Sequence, residues 1–494
     1  MRILIGCYQF KTRTGMPNYL LTLARELMNC GHQVAIIAMI GEVGLVSPEI
    51  IPQYKLKEYD RSLHEFHPDV LLLNEPESEE LLNMYPNVPA YQIIHSALFY
   101  DRPILRQPQI NRYISPRPQI TAWLLGQGIP EKSIIEISLP VDIEHFRQPV
   151  VRQHGRYDIV SISTIDELRK PMLLDLIRQA KAGKKVLIAG KDHGSLGDLS
   201  QYADIATLKI IPEEIRDVRP FLASAKMVAG IYRGLITLEA KVMGIPCLIY
   251  DEHGKSRIEK PDDVRVHDVR KIARQFVDLF TEIRADIIIP HHDRDDLLAD
   301  CLKSIPKLNF NVIVADYGGS FSMNCNAGAR KGRSSNLIFL NDDTIVNAPA
   351  MWELAARDDD VVGCRQTFTQ PEMATGLKTV LGITLRINKT TGIVQYWLTD
   401  TPAEVFYPSG AIFKIKRDLF RKLGGFSERF INGGEDQDLF LRCIAAGAKM
   451  SFCPLPITHH LSQSEGRFKY CAENDVLLKD RWPDSKLKEM FKLC

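Results

Sequence analysis

The sequence predicts an α/β protein in which two Rossmann-like halves precede a further α/β domain, and three observations carry that prediction. Short apolar runs alternate with helical stretches in two successive series over the first 280 or so of the 494 residues. A charged helical segment then leads into a third alternating series near Ala285. In that last series the strands end on acids and a histidine. The expected domains are residues 1–150, 151–283 and 284–494.

The first series opens with the strand "RILIGC", a turn around Gly15, the helix "NYLLTLARELMNCG" closed by Gly31, and the strand "QVAIIAMIG". That is a βαβ unit. The runs "VLLLNEP", "YQIIHSALF" and "RYISP" follow, each ending in polar or turn residues, as strands of a parallel sheet do. The second series runs through "YDIVSIST", "KKVLIAGKD", "IATLKII" and "KMVAGIY" to "PCLIYDEHG". The helix "DVRKIARQFVDLFTEI" then meets the strand "ADIIIP" near Ile283 without a Gly/Ser linker, which predicts a stiff junction. Beyond it come the strand "NVIVA", the helix "NAGARKG", the strand "LIFL", and a less regular region to about Glu404. The segments "SGAIFKIKRDLFRKLGGF", "GGEDQDLFLRCIAAGAKMSFCP" and "ITHHLSQS" complete the chain's patterned part.

Composition narrows the function. With 62 Lys plus Arg against 61 Asp plus Glu, the formal charge of +1 gives no global field for a polyanion or an acidic membrane surface. The ten cysteines are scattered, without a CxxC pair and often within apolar runs, a pattern of free buried thiols in a reducing compartment. No apolar run reaches the 18 or so residues of a membrane span, and "MRILIGCY" is too short for a signal core. A soluble cytoplasmic protein is expected.

Ligands of open α/β sheets sit beyond the carboxyl ends of the strands. There Asp316 follows "VIVA", the triplet Asn341, Asp342, Asp343 follows "LIFL", and His459 follows "CPLPIT". Carboxylates and an imidazole gathered at one edge can hold a hard divalent cation that neutralises a diphosphate. The plainer reading makes the same residues turn formers and helix caps. In "INGGEDQDLFLRC" two glycines allow a tight turn before an acidic first helical turn, and Glu435, Asp436 and Asp438 fit it equally well.

The ordered segments "DIIIPHHDRDDLLADCLKSI", "VIVADYGGS", "NAGARKGRSSNLIFLNDDT", "SGAIFKIKRDLFRKLGGFSERF", "GGEDQDLFLRCIAAGA" and "THHLSQS" resemble the family 2 glycosyltransferases, whose fold is GT-A, from about Ala285 to Ser464. The resemblance implies that Asp316 contacts the nucleoside of a nucleotide-sugar donor, and that Asn326 and Gly328 lie on the loop beside the diphosphate. It makes Asp343 the last acid of an Asp-x-Asp motif and a ligand of manganese or magnesium, with Asn341 in the place of the first acid. It makes Asp436 the general base and lets His459 complete the metal site, with His460 as an adjacent competitor. A base on one face and a leaving diphosphate on the other would give inversion at the anomeric carbon.

The first 280 or so residues resemble a second class, the family 4 glycosyltransferases of GT-B fold, through "NYLLTLARELMNCGHQVAIIA", "IIHSALF", "RYISPRPQITAWLLGQGIPEKSIIEISLPVDIEHFRQP", "SISTIDELRKP" and "GLITLEAKVMGIPCLIYDEHG". By that resemblance Gly15 lies on the loop facing donor and acceptor, His95 lies in the cleft, Lys170 pairs with the donor diphosphate, and Glu239 binds the ribose. Taken singly, His95 reads as a satisfied core histidine and Glu239 as an acid opening a helix. Two departures stand out. Ile231 occupies the position of a further family Glu, and Ser163 and Thr164 stand near that of an expected Arg.

Three readings follow. The first is a tandem glycosyltransferase moving sugars from nucleotide-sugar donors to a glycan, a lipid-linked glycan or another hydroxyl acceptor, its first half active or degenerate. The second is a nucleotide-sugar or glycan binding protein. The third, disfavoured by the near-neutral charge, is a transferase acting on hydroxymethylated DNA bases through Arg102, Arg106, Arg112 and Arg117 with Tyr100 and Tyr113 interleaved.

Overall fold

The computed structural model describes the chain except residues 12–14, 41, 48–50, 57–65, 75–77, 96–103, 152–155, 370–376, 461–468 and 493–494. The chain divides into two compact units: Met1–Leu81 with Ala90–Leu105 and Arg112–Leu279, and Leu82–Pro89 with Arg106–Asn111 and Phe280–Cys494.

Two sheets of Rossmann type come first. One is built from β1 (Arg2–Cys7), β2 (Gln33–Ala38), β3 (Gln53–Lys55), β4 (Val70–Leu73), β5 (Ala90–Ile93), β6 (Ile110–Ser115) and β7 (Ile134–Glu136), in the order β3-β2-β1-β4-β5-β6-β7. The other contains β8 (Tyr157–Ile162), β9 (Val186–Ala189), β10 (Leu208–Ile211), β11 (Ala225–Ile231), β12 (Cys247–Tyr250) and β13 (Ser256–Glu259), in the order β10-β9-β8-β11-β12-β13. β1 pairs in parallel with β2 and β4, and β8 with β9 and β11, so each sheet has a switch point where its strand order reverses. Both faces of such sheets are covered, which is why "VLLL" and "VLIA" are apolar throughout and fully buried.

The helix Gly15–Asn29 buries Tyr19, Leu20, Leu23, Ala24 and Leu27 along one stripe, and the chain turns out of it at Gly31 with φ +85°. Gly15 is the first residue of this helix, and residues 12–14 before it, where the expected turn falls, lie outside the described residues.

The second unit carries β14 (Ala285–Pro290), β15 (Phe310–Ala315), β16 (Asn336–Leu340), β17 (Thr344–Ile345), β18 (Val361–Phe368), β19 (Thr379–Val380), β20 (Gly382–Ile387), β21 (Val394–Thr399), β22 (Tyr407–Pro408), β23 (Ile412–Lys416) and β24 (Met450–His459). Their main order is β15-β14-β16-β23-β18-β24-β17, with β19 beside β18 and a separate small sheet β21-β20-β22. The region before Glu404, expected to be less regular, thus holds a helix, Ala348–Ala356, and several short strands.

β16 shows how the sheet divides its core. Leu337 and Phe339 face one cluster with Phe413, Phe420 and Phe426, while Ile338 and Leu340 face another with Met351 and Trp352. Each such side chain contributes about 1.5–3 kcal/mol by leaving water. No helix among the described residues is long and apolar enough to cross a membrane.

Candidate functional site

Strand register gathers the acids of the second unit. β14 runs parallel to β15 with Pro290 opposite Ala315, and parallel to β16 with Ile288 opposite Phe339. The residues just past these ends, His291, Asp316 and Asn341 to Asp343, therefore share the carboxyl edge of the sheet. The Asn341 N–H donates to the Ala411 carbonyl (2.9 Å), and its own carbonyl accepts from the Thr344 N–H (3.2 Å), which closes the acid turn.

That turn leads into β17, whose Thr344 lies opposite His459 of antiparallel β24. The pairing sets His459 Nε2 3.1 Å from Asp343 Oδ1, with each side chain only 4% exposed. His460 contributes its backbone N–H to the Asp343 carbonyl (2.8 Å). Of the two histidines, His459 is the one whose ring meets the acid. His459 Nδ1 is buried and finds no partner among the described residues, so the hydrogen bond from Nε2–H to the Asp343 carboxylate sets the ring's tautomer.

Asp342 is paired as well. His291 Nδ1 lies 2.9 Å from Asp342 Oδ2, and Nε2 lies 3.1 Å from Asp295 Oδ1. Burial opposes the charged imidazole, but the hydrogen bonds to Asp342 and Asp295 outweigh it and hold the His291 pKa above its ordinary value. The one sequence signal for His291 is a histidine directly after the strand that neighbours the acid-bearing one.

The structure separates the three acids of the helix Glu435–Ala445. Glu435 is buried and turns back, accepting through Oε2 from the Gly433 N–H (2.6 Å) across a turn in which Gly433 and Gly434 take φ of +150° and +81°. Asp438 is fully buried and engaged by Arg442 Nε (2.9 Å), Arg481 Nη1 (3.2 Å) and Trp482 Nε1 (3.0 Å). Asp436 is half-buried, and its Oδ1 accepts from the Gln437 N–H (2.8 Å). A Cβ at Gly410 would stand 2.3 Å from Asp436 Oδ2 and 2.8 Å from its Cβ, so a side chain there would displace Asp436. Since Gly410 immediately precedes Ala411, one short segment lies against both Asp436 and the acid turn.

Other expected positions fare differently. Asp316 is exposed on the turn after β15. Asn341 is half-buried at the edge itself. Asn326 does not lie on a loop: it sits within the helix Phe321–Lys331, 7% exposed. Its amide donates to the Phe426 carbonyl (2.9 Å) and Glu428 Oε1 (3.0 Å), and its oxygen accepts from the Phe426 N–H (2.9 Å). Asn326 is a clamp on the 425–428 segment. Gly328 belongs to the same helix, where a Cβ would stand 2.6 Å from Ile288.

In the first unit, Gly15 is the exposed first residue of its helix, with nothing within 4 Å of where a Cβ would stand. Lys170 begins the helix Lys170–Lys181 and pairs with Glu167 at 3.1 Å. Glu239 borders a cavity of about 260 Å³ with the helix Gly15–Asn29 and residues 140–142 and 215–218. Burial raises its carboxyl to a pKa of about 7. His95 is satisfied by Asn74 Oδ1 (2.9 Å) and packs edge-on against Tyr19, and burial followed by the Arg117 charge lowers its pKa to about 3.

Among the described residues of the suggested basic stretch, Arg106 is exposed while Arg112 and Arg117 are half-buried. Tyr113 is buried and donates its hydroxyl to the Leu105 carbonyl, and Arg117 is half-buried with its pKa lowered by desolvation. Tyr100 and Arg102 lie outside the described residues.

Residues 377–471 match a family model described as glycosyltransferase like family 2. No curated protein matches the chain. Similar solved structures include AviGT4, a glycosyltransferase involved in avilamycin A biosynthesis, at 16% identity over 56% of this chain and 96% of that one, with a TM-score of 0.41. Another is an alpha-glucosyltransferase in complex with UDP and a 13-mer DNA containing a HMU base, at 15% identity over 51% and 80% with a TM-score of 0.40. A third is Anabaena Alr3699/HepE in complex with UDP and glucose, at 13% identity over 56% and 90% with a TM-score of 0.40.

Proposed function

We propose, from the family 2-like glycosyltransferase segment at residues 377–471, that the chain is a glycosyltransferase using a nucleotide-sugar donor, with an inverting, metal-dependent site in its second unit. The observation that carries this reading is the Asp343–His459 pair, 3.1 Å apart and buried at the carboxyl edge of the sheet.

The pair fits a divalent cation such as manganese or magnesium, since it offers one carboxylate oxygen and one imidazole nitrogen, Nε2, that the ion would hold in place of the proton between them. Among the described residues no three His, Cys, Asp or Glu side chains gather to hold a metal. Asp343 and His459 would hold the cation together with the donor diphosphate and water. When bound, the cation supplies positive charge against the charge developing on a departing diphosphate.

The chain's own residues do the remaining work. A sugar hydroxyl is a poor nucleophile, so Asp436 accepts its proton as the new bond to the anomeric carbon forms. The Gln437 N–H and the close Gly410 backbone fix that carboxylate in one orientation. Asp316 and Asn341, on the same edge, contact the nucleotide. Attack from the Asp436 side, opposite the leaving diphosphate, inverts the anomeric carbon.

In the first unit, Glu239 beside its cavity and Lys170 at a helix start serve a second nucleotide-sugar site, active or binding only. Ile231, the last residue of β11, offers a sugar no hydrogen bond there. The acceptor is a glycan, a lipid-linked glycan or another hydroxyl compound.

Manganese binding tests the central feature. Titrating Mn²⁺ into the full chain with a nucleoside diphosphate, followed by its paramagnetic resonance signal, is expected to show one tight site that weakens about tenfold or more in Asp343→Ala and in His459→Ala. Equal binding in wild type and both variants would remove the metal from this edge.

A further inference from the structure

The second unit has a cavity of about 510 Å³ that shares none of the acids of the carboxyl edge or of the helix Glu435–Ala445. Five arginines line it, Arg330, Arg417, Arg421, Arg442 and Arg481, together with Phe420, Phe426, Leu337 and Leu423; Glu428 is its one acid.

The cations are unequally satisfied. Arg417 is spent on structure, since its guanidinium pairs with Asp286 and donates to the carbonyls of Ser334 and Ala329. Arg442 and Arg481 share Asp438, yet Arg442 Nη2 is buried and without a partner among the described residues. Arg330 and Arg421 are exposed and have no ion pair among the described residues. Burial, and the like charge of Arg421 one helical turn away, depress the Arg417 pKa despite Asp286. Cations crowded against an apolar wall, one with a buried donor unused, make a site short of an anion.

This cavity is apart from the carboxyl edge. Arg442 follows Asp436 by six residues on one helix, about 9 Å along its axis. Leu337 precedes Asn341 by four residues on β16 and its end, about 13 Å. Helix and strand both run from the proposed active site at one end to the cavity at the other.

We infer that this cavity binds a phosphate-bearing small anion with an apolar or aromatic body, the chemistry of a nucleoside monophosphate or a similar phosphate ester. The free guanidinium groups of Arg330 and Arg421 and the unused Arg442 Nη2 take the phosphate oxygens, as planar forks matched to that group. Phe420, Phe426, Leu337 and Leu423 cover the body.

The test is calorimetric titration of the full-length protein with inorganic phosphate and with adenosine monophosphate, in EDTA and at fixed ionic strength. Saturable binding is expected, tighter for the monophosphate, and weakened about tenfold by Arg421→Ala, by Arg330→Ala and by Arg442→Lys, which keeps the charge but loses Nη2. Lys170→Ala and Asp343→Ala are expected to leave it intact. No saturable binding, affinity unchanged in Arg421→Ala and Arg330→Ala, or loss instead in Lys170→Ala or Asp343→Ala would overturn the assignment.

Discussion

Glu435, Asp436 and Asp438 are equivalent in spacing and diverge only in their neighbours. Asp438 is fully buried among two arginines and a tryptophan, so removing it strands buried charges: Asp438→Ala is expected to cost about 3–5 kcal/mol in chemical denaturation. Asp436→Asn is expected to leave stability within about 1 kcal/mol while abolishing transfer. Glu239 makes a prediction in pH. Its folded pKa of about 7 lies above the usual value of 4.5, so the folded state keeps a proton that the unfolded chain loses. The stability it contributes is full below pH 4.5, falls as pH rises to about 7 and levels off above that. Glu239→Gln is expected to stabilise the protein by about 1–3 kcal/mol at pH 8 and scarcely at pH 4, read from unfolding at the two pH values. The sequence could place these acids but not rank them, because what tells them apart includes residues distant along the chain, such as Gly410 against Asp436 and Arg481 and Trp482 beside Asp438.

At the scale of elements, strand pairing assembles the site, and glycines and one asparagine hold it. A one-residue slip between β17 and β24 would turn His459 to the opposite face, away from Asp343. Gly410→Ala is expected to lower turnover severalfold or more while shifting the thermal midpoint little, because the new methyl meets the Asp436 carboxylate rather than the core. Equal loss of stability and activity would assign Gly410 to packing alone. Asn326→Ala is expected to do the reverse, costing about 1–3 kcal/mol by leaving the Phe426 N–H and carbonyl unpaired. Apolar runs such as "LIFL" and "RILIGC" were legible as strands because burial on both faces leaves a continuous signal. The strands between 379 and 399 were not, since short antiparallel pieces with polar alternation resemble loop sequence. The resemblance puts Asn326 on a loop, but the helix Phe321–Lys331 begins five residues before it, at a Ser320 cap.

At the scale of the whole molecule, the two Rossmann-type sheets, parallel but for the antiparallel edge strand β13, were readable from the alternation of runs, whereas the mixed pairing of the main sheet in the second unit was not. The first unit takes up Arg112–Leu279 but leaves Leu82–Pro89 and Arg106–Asn111 to the second, a partition set by packing that no linker composition announces. The near-neutral charge leaves function to local sites, of which the one we propose at Asp343, His459 and Asp436 is central. The direct test is release of nucleoside diphosphate from a panel of nucleotide sugars with manganese, comparing the full chain with Asp436→Asn and Asp343→Ala. The account predicts that at least one donor is turned over by the wild type, and that both variants fall about a hundredfold or more. Turnover unchanged in both variants would contradict it.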